Sequence, residues 1–209
     1  MDWKSKAGAK MRLSEMIEPW IIKKIFWKAL SPFMKLVLKI HGVNSRKVKV
    51  FGYPRISNEG KIILSEGVEL HSTNAYYVTS GFVPNCLLKT YHGAEINIGK
   101  NVQLNGTTII SAKKVVIGDN TLLGSNCIIM DTNIHPTDPF FRREVVSKHT
   151  SSKEIIIGKN VWLGVNVIIM KGVHIGDNSI IGAGSVLTCD VAKNSIFAGN
   201  PAKLVKQIK

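Results

Sequence analysis

The stretch that decides the fold is residues 157–192, IGKNVW LGVNVI IMKGVH IGDNSI IGAGSV LTCDVA, which divides into six consecutive units of six residues. Each unit begins with an aliphatic residue: Ile157, Leu163, Ile169, Ile175, Ile181 and Leu187. The fourth position holds Asn, Gly or Asp, which tolerate a positive φ and therefore predict a tight corner. The fifth position holds Val or Ser, which suits the inside of a bend. Each unit thus predicts one short strand and one turn, and three units would close a triangular coil.

The same six-residue step occurs earlier in the chain, with a slip of one residue between two runs. The aliphatic positions are Ile98, Leu104 and Ile110, then Ile117, Leu123 and Ile129. Before residue 98, Leu64 and Leu70 keep the step, with Tyr76 and Phe82 as bulky substitutes. We therefore predict an all-β solenoid, in which each coil buries its inner face by stacking on its neighbours. A β-sandwich of short strands is the alternative, but it predicts irregular spacing of the turns.

Composition indicates a folded chain with an unevenly distributed positive charge. With 209 residues and 44% hydrophobic residues, the chain can bury one core and carry an appendage, which argues against a disordered protein. The formal net charge is +14, and the first fifty positions hold twelve of the 28 Lys and Arg residues but three of the 14 acidic ones. This asymmetry predicts that an anionic partner meets the N-terminal end.

The three cysteines favour a reducing compartment. Cys86, Cys127 and Cys189 are odd in number and have no metal-ligand spacing, so neither a disulfide framework nor a zinc site is indicated. Lysines interrupt the apolar stretch near the N-terminus, which argues against a secretory signal and against a membrane span. We expect a cytoplasmic protein.

Residues 16–40 predict a basic amphipathic helical segment. Lys24, Lys28, Lys35 and Lys39 fall in a narrow arc at helical spacing, opposite Ile21, Ile22, Ile25, Phe26 and Leu36 to Leu38. Pro32 is expected to break or kink this segment into two helices. With Trp20 and Trp27, the segment could cap the end of the solenoid or make a peripheral contact with the inner face of an anionic membrane. The predicted organisation is a helical segment at 1–45, a β-helix at 46–192 and a short tail at 193–209.

The repeat is interrupted once, between Ile134 and Ile157, by the excursion 135–156. Such a long loop is the first place to seek a site. It begins with His135, whose imidazole, of ordinary pKa near 6.5, can take a proton from a hydroxyl. The segment DTNIHPTDP (131–139), the repeat that follows and the tail SIFAGNPAKLVK (195–206) resemble the hexapeptide-repeat acetyltransferases. The resemblance covers residues 96–206 and is strongest to the branch of maltose, galactoside and polysaccharide-modifying O-acetyltransferases.

This resemblance implies a left-handed β-helix, a homotrimer and direct acetyl transfer from acetyl-CoA to a sugar or glycan hydroxyl, with His135 as the general base. It implies no metal, and it places CoA in a groove between neighbouring subunits. The matching positions are Trp162, Gly164 and Val165 near the thioester end, Gly182, Ala183 and Thr188 further along, and Lys203 near the nucleotide phosphates. The small residues would let pantetheine approach backbone N–H groups, although the repeat itself also demands them.

Three further side chains are candidates for supporting roles. Asp131 or Asp138 could orient the imidazole of His135, although Asp131 also suits a coil corner and Asp138 a turn before Pro139. Asn105, in the neighbouring coil, is an acceptor-contacting candidate by resemblance and otherwise a turn residue.

Other functions remain open from sequence alone. The same fold carries xenobiotic, serine and amino-sugar N-acyltransferases. A metal enzyme of the γ-carbonic anhydrase kind would need a close pair of histidines, which His135, His149 and His174 do not provide. A catalytically silent scaffold or a nucleic-acid binder is the third class. We expect no nucleic-acid partner, because the basic region contains no recognised nucleic-acid motif.

Overall fold

In the computed structural model, which describes residues 19–72 and 85–208, one helix precedes a solenoid of short β-strands. The helix, α1, is Pro19–Ile40. The strands form three sheets, which are the three faces of the solenoid, and each strand except the last pairs with a strand one coil away. All pairings between described strands are parallel except the last, which is antiparallel. This arrangement is the predicted solenoid, a parallel β-helix.

Each face is a ladder that runs the length of the solenoid. The first face contains β1 (Val43–Ser45), β4 (Lys61–Leu64), β7 (Glu95–Ile98), β10 (Lys114–Ile117), β13 (Ile155–Ile157) and β16 (His174–Ile175). The second contains β2 (Lys49–Gly52), β5 (Glu69–Ser72), β8 (Gln103–Asn105), β11 (Leu122–Leu123), β14 (Trp162–Leu163), β17 (Ile180–Ile181), β19 (Ser195–Gly199) and β20 (Ala202–Gln207). The third contains β3 (Arg55–Asn58), β6 (Leu87–Thr90), β9 (Thr108–Ser111), β12 (Ile128–Met130), β15 (Ile168–Ile169) and β18 (Val186–Leu187).

The first and fifth positions of the six-residue units form the core, as the sequence predicted. All six aliphatic residues of residues 157–192 are buried, and so are the fifth-position residues Val161, Val167, Val173, Ser179, Ser185 and Val191. The fourth-position residues Asn160, Asn166, Gly172, Asn178 and Gly184 have positive φ. Asp190 is the exception: it lies outside that conformation, and its carboxylate accepts a hydrogen bond from the backbone N–H of His174.

The prediction that Ile110 lies in the core is wrong. Within β9 the burial alternates, so that Ile109 is fully buried while Ile110 is only partly covered. Ile109 pairs in register with Ile129, and Ile110 pairs with Met130. The step therefore shortens to five residues from Leu104 to Ile109, where Gly106 has a φ of 55°, and lengthens to eight from Ile109 to Ile117.

The glycines that follow the aliphatic positions allow the coils to approach closely. A Cβ atom placed on Gly164 would lie 2.6 Å from the backbone nitrogen of Ala183 in the next coil. A Cβ atom on Gly124 would likewise lie 2.6 Å from the carbonyl carbon of Gly164. These glycines are required because the neighbouring backbone occupies the space of a side chain.

The N-terminal helix covers the first coil. Its Met34 and Leu38 are 1% and 0% exposed and join the core of the solenoid. The helix runs through Pro32 without interruption, so the predicted break into two helices is wrong. The turns that follow Pro32 carry Met34 and Leu38, and their burial holds the helix together where the proline removes one hydrogen bond. No helix in the described part of the chain is both long and apolar enough to cross a bilayer.

Two predicted segments differ in detail from the structure. β1 begins at Val43 and pairs with β4, so the solenoid starts inside the segment 1–45 that was assigned to the helical region. The segment 193–209 contributes β19 and β20, which extend the second face. Tyr76 and Phe82 lie outside the described residues, as do residues 16–18 and the side chains of Trp20, Ile21, Ile22, Lys24, Ile25, Trp27 and Lys28.

Candidate functional site

The excursion leaves the third face directly after β12 and returns to the first face at β13. Its two ends are held together by backbone hydrogen bonds, Asn133 N–H to the carbonyl of Ser151 at 3.1 Å and Lys153 N–H to the carbonyl of Asp131 at 2.8 Å. A bridge between Thr132 and Ser152 closes the same base. The excursion is therefore a closed loop rather than a long open connection.

Asp131 anchors this base from inside the solenoid. Its side chain is fully buried, and its carboxylate accepts four hydrogen bonds: from Ser111 Oγ at 2.7 Å, Ala112 N at 2.7 Å, Lys113 N at 2.9 Å and Lys114 N at 2.6 Å. A buried carboxylate needs several donors to offset its desolvation, and the turn between β9 and β10 supplies them. Asp131 therefore organises the turn of the neighbouring coil.

Two β-branched residues in the loop adopt left-handed backbone conformations. Ile134 has a φ of 64° and Val146 has a φ of 43°. The backbone N–H of Val146 donates to the carbonyl of Ile134 at 2.7 Å. Such conformations cost a branched side chain about 1–3 kcal/mol and persist where the surrounding structure imposes them, often at functional sites. Here they flank the segment that presents His135.

His135 is exposed, and one of its ring nitrogens is fixed. Its Nδ1 lies 3.0 Å from the backbone carbonyl oxygen of Glu144. Since a carbonyl oxygen can only accept, the neutral ring carries its hydrogen on Nδ1 and its lone pair on Nε2. The side chain is exposed in the single chain, so this lone pair is available to a ligand.

Neither aspartate predicted as an orienting partner of His135 has that role. The carboxylate of Asp131 is used by the turn described above, and that of Asp138 accepts from the backbone N–H of Phe140 at 2.8 Å within its own turn. The orienting group is the main-chain carbonyl of Glu144. A backbone acceptor leaves no signal in residue types, which is why the sequence did not reveal it.

Glu144 has a second contact on its side chain. Its Oε2 accepts from Nδ1 of His149 at 3.0 Å, and the ring of His149 stacks on Phe141 with centroids 3.8 Å apart. Hydrogen bonds from Ser147 and then from His149 hold the pKa of Glu144 below its usual value. The loop therefore holds Glu144, whose carbonyl orients His135, through both the backbone and the side chain of Glu144.

Asn105 lies at the end of β8 and is 9% exposed. Its amide nitrogen donates to the carbonyl of Leu123 at 2.7 Å, and its Oδ1 is buried without a hydrogen-bond partner within the described residues. In the ladder of the second face it pairs with His71, whose Nε2 lies 3.1 Å from Glu69. Within residues 19–72 and 85–208, no hydrogen bond joins Asn105 to His135.

The donor-binding candidates lie on the last coils. Trp162 is 52% exposed, and Ala183, Thr188 and Lys203 are also exposed. The backbone N–H groups of Gly164 and Gly182 are engaged within the solenoid, because they donate to the carbonyls of Ile181 and Phe197 at 2.8 Å. The next residues differ: the N–H groups of Val165 and Ala183 have no acceptor among the described residues.

Two of the three cysteines are unsuited to nucleophilic catalysis. Burial raises the pKa of Cys86 and raises that of Cys127 to about 12, so both thiols stay protonated at neutral pH. Cys189 is exposed and lies between Thr188 and Asp190. Among the residues that the structure describes, no group of three or more His, Cys, Asp or Glu side chains is arranged to hold a metal.

Comparison with known proteins bears out the resemblance. A family model for the hexapeptide repeat of succinyl-transferase matches residues 114–134 and 154–189, the two sides of the loop. The galactoside O-acetyltransferase of Escherichia coli K12 is 41% identical over 118 residues, which are 56% of this chain and 56% of that protein. The chain thus spans little more than half the length of this curated relative.

Two solved structures extend the likeness to the fold. A maltose O-acetyltransferase from Clostridium difficile 630 is 25% identical, with a TM-score of 0.54 over 93% of this chain and 90% of that one. A galactoside acetyltransferase in complex with coenzyme A is 26% identical, with a TM-score of 0.53 over 93% and 85%. The parallel ladders and these neighbours together identify the solenoid as the left-handed β-helix that was predicted. The chain therefore contains hexapeptide repeats, and its sequence and fold resemble those of the galactoside and maltose O-acetyltransferases.

Proposed function

We propose that this chain is an acetyl-CoA-dependent O-acetyltransferase that acts on a hydroxyl of a sugar or of a polysaccharide precursor, with His135 as its general base. The observation that carries the proposal is the contact between His135 Nδ1 and the Glu144 carbonyl, which leaves the Nε2 lone pair on an exposed ring. The likeness to sugar O-acetyltransferases supports acetyl transfer to a sugar hydroxyl as the reaction that this base would assist.

The chemistry follows from the tautomer of His135. Nε2 takes the proton of the acceptor hydroxyl as its oxygen attacks the thioester carbonyl of acetyl-CoA. The bond from the carbonyl carbon to sulfur then breaks, and the imidazolium returns the proton to the departing thiolate. His135 ends in its starting form, and the Glu144 carbonyl stabilises the imidazolium through its bond to Nδ1–H. No acyl-enzyme is needed, in keeping with the protonated thiols of Cys86 and Cys127.

The donor would be held along the coils that carry Trp162, Gly164, Val165, Gly182, Ala183 and Thr188, with Lys203 toward the phosphates. Support comes from the two N–H groups without an acceptor, those of Val165 and Ala183, which lie one coil apart. They could donate to amide carbonyls of the pantetheine arm, and one of them could stabilise the developing oxyanion. Lys203 is an exposed cation on β20 and can meet a phosphate.

We further propose that the active form is a homotrimer with its donor groove between neighbouring subunits. Large apolar side chains on the outer faces support this, since Leu122 is 40% and Ile156 is 36% exposed in the single chain. Asn105, which is 9% exposed in the single chain, is the proposed acceptor-contacting residue. The enzyme would be cytoplasmic, with a peripheral contact to the inner face of the membrane through residues 16–40.

The test is release of CoA from acetyl-CoA by the purified full-length chain in the presence of galactosides, maltose, polysaccharide fragments, amino sugars, serine and a xenobiotic alcohol. We expect turnover with a sugar hydroxyl, and we expect His135→Asn to lower kcat by about 10²–10⁴-fold. The matched control is His174→Asn, which removes an exposed histidine on β16 and should leave kcat unchanged.

Other outcomes would redirect the assignment. Turnover only with amines would make the chain an N-acyltransferase. Full turnover by His135→Asn would show that His135 is not the general base. Stoichiometric zinc in protein purified without added metal would support a metal enzyme. Nucleic-acid binding without affinity for CoA would support a scaffold.

A further inference from the structure

The helix α1 carries two separate apolar faces. Met34 and Leu38 are buried against the first coil. Three other large apolar side chains of the same helix point away from the core, and their exposed fractions are 58% for Phe33, 52% for Leu36 and 73% for Ile40. The sequence suggested a single apolar face that included Leu36 and Leu38, and the structure divides it.

The exposed residues form one continuous stripe. Phe33, Leu36 and Ile40 follow spacings of three and four residues, which at about 3.6 residues per turn keeps them within about a quarter of the helix circumference. Single exposed apolar residues are ordinary, whereas three in one stripe along about two turns of a helix mark a surface that meets a partner. We refer to these three residues as the exposed stripe.

Lysines occupy the sector between the exposed stripe and the buried face. Lys35 and Lys39 are exposed, and together with Lys47 they line a cleft of about 370 Å³ between the helix and the first coil. Asn44 and Ser45 of β1 complete its wall with polar groups. Lys47 is paired with Glu66 at 2.7 Å, but no acidic side chain of the described residues pairs with Lys35 or Lys39. The cleft thus presents two uncompensated cations to an anion of the size of a phosphate headgroup.

We propose that this surface docks on the headgroup region of an anionic phospholipid bilayer. The exposed stripe would enter the boundary between headgroups and acyl chains, while Lys35 and Lys39 would reach lipid phosphates beside it. The proposal rests on the peripheral membrane location proposed above. It adds the class of lipid, an anionic phospholipid, and the residues that would bind it. It does not depend on acetyl transfer.

The charges favour a lipid surface over a second copy of the chain. If two copies paired through their stripes, the lysines that border each stripe would be brought toward those of the other copy, and like charges repel. An anionic bilayer instead offers both an apolar layer and the opposite charge. The excess of Lys and Arg in the first fifty residues adds to the same attraction.

The test is co-sedimentation of the full-length chain with vesicles of phosphatidylcholine alone or mixed with phosphatidylglycerol. We expect binding to the mixed vesicles that weakens as salt is raised, since the attraction is screened. The double variant Lys35→Gln/Lys39→Gln should bind more than tenfold more weakly, at about fivefold per lysine. The double variant Phe33→Ser/Leu36→Ser should lose binding as well.

The matched control is Lys193→Gln/Lys206→Gln, which removes two exposed lysines at the other end of the solenoid and should bind like the unmodified chain. Equal binding to neutral vesicles, no binding to either kind, or inorganic phosphate that displaces the protein fully at equal ionic strength would overturn the proposal. So would self-association that the Phe33→Ser/Leu36→Ser variant abolishes. Because none of these residues is placed in the catalytic site, acetyl transfer to a soluble sugar should persist in every variant, which separates this proposal from the enzymatic one.

Discussion

The backbone N–H of Val146 and the carbonyl of Ile134 are joined by a 2.7 Å hydrogen bond across the loop that presents His135, and both residues are held at positive φ. Two residues before Val146, Glu144 accepts from the imidazole of His135. The hydrogen bond between these two strained residues therefore closes a short ring of contacts around the proposed base. Its removal should lower kcat more than it lowers the free energy of unfolding.

Val146→Pro tests this relationship directly. Proline has no N–H to donate and fixes φ near −65°, so the bond to Ile134 and the placement of Glu144 are lost together. We expect kcat to fall at least tenfold, with a small change in the KM for acetyl-CoA. Val146→Gly is the matched variant: it keeps the N–H, adopts a φ of 43° without strain and should keep near-normal kcat. Equal kcat values for the two variants would show that the loop closure does not position His135.

Asp131→Asn should destabilise the whole solenoid. The amide keeps the shape of the carboxylate but turns one acceptor into a donor that faces backbone N–H groups, in a site that is fully buried. We expect the free energy of unfolding to fall by about 2–4 kcal/mol, measured by chemical denaturation. Asp138→Asn, in the exposed turn of the same loop, should change it by less than about 1 kcal/mol. Comparable losses in both variants would contradict the anchoring role of Asp131.

Gly164→Ala should separate two neighbouring coils. The new methyl group would lie 2.6 Å from the backbone nitrogen of Ala183, which cannot move without breaking the ladder. We expect a loss of about 2 kcal/mol in the free energy of unfolding and a higher KM for acetyl-CoA. Gly93→Ala is a control of another kind, since its φ is 76° but its Cβ would meet nothing within 4 Å. It should cost about 1 kcal/mol from backbone strain alone and leave the KM unchanged.

Glu69 should contribute to stability in a pH-dependent way. Hydrogen bonds from His71 and Lys49 lower the pKa of Glu69 from 4.5 to about 2. Because the folded state holds the ionised form, the contribution is complete above about pH 4.5 and is lost as the pH falls toward 2. Glu69→Gln should therefore flatten the decline in unfolding free energy over this range. The comparison is Glu95→Gln, which removes a carboxylate whose cation, Lys61, lies at the longer distance of 3.6 Å. If the unfolding free energy of Glu69→Gln fell between pH 4.5 and pH 2 as steeply as that of the unmodified chain, the lowered pKa assigned to Glu69 would be refuted.

The repeat made most of the solenoid predictable, and its failures have physical causes. Ile109 and Ile110 are adjacent and equally apolar, so the six-residue step alone could not tell which faces inward; pairing with Ile129 and Met130 decides it. The uninterrupted helix at Pro32 reflects tertiary burial of Met34 and Leu38, which local propensity does not contain. His135 could be singled out because the loop interrupts a counted pattern, whereas its partner is a main-chain carbonyl and has no residue signature.

The closed base of the loop has a consequence for how such a protein can diversify. Asn133, Ser151, Lys153 and the backbone of Asp131 clamp the two strands of the excursion where they leave the coils, so the stem is set by the solenoid and not by the residues beyond it. Residues 136–143, which lie between His135 and Glu144 at the tip of the loop, can then be lengthened, shortened or exchanged while the register of the coils on both sides stays intact. A graft that keeps the stem and replaces the tip should fold like the parent and alter only which acceptor reaches the imidazole.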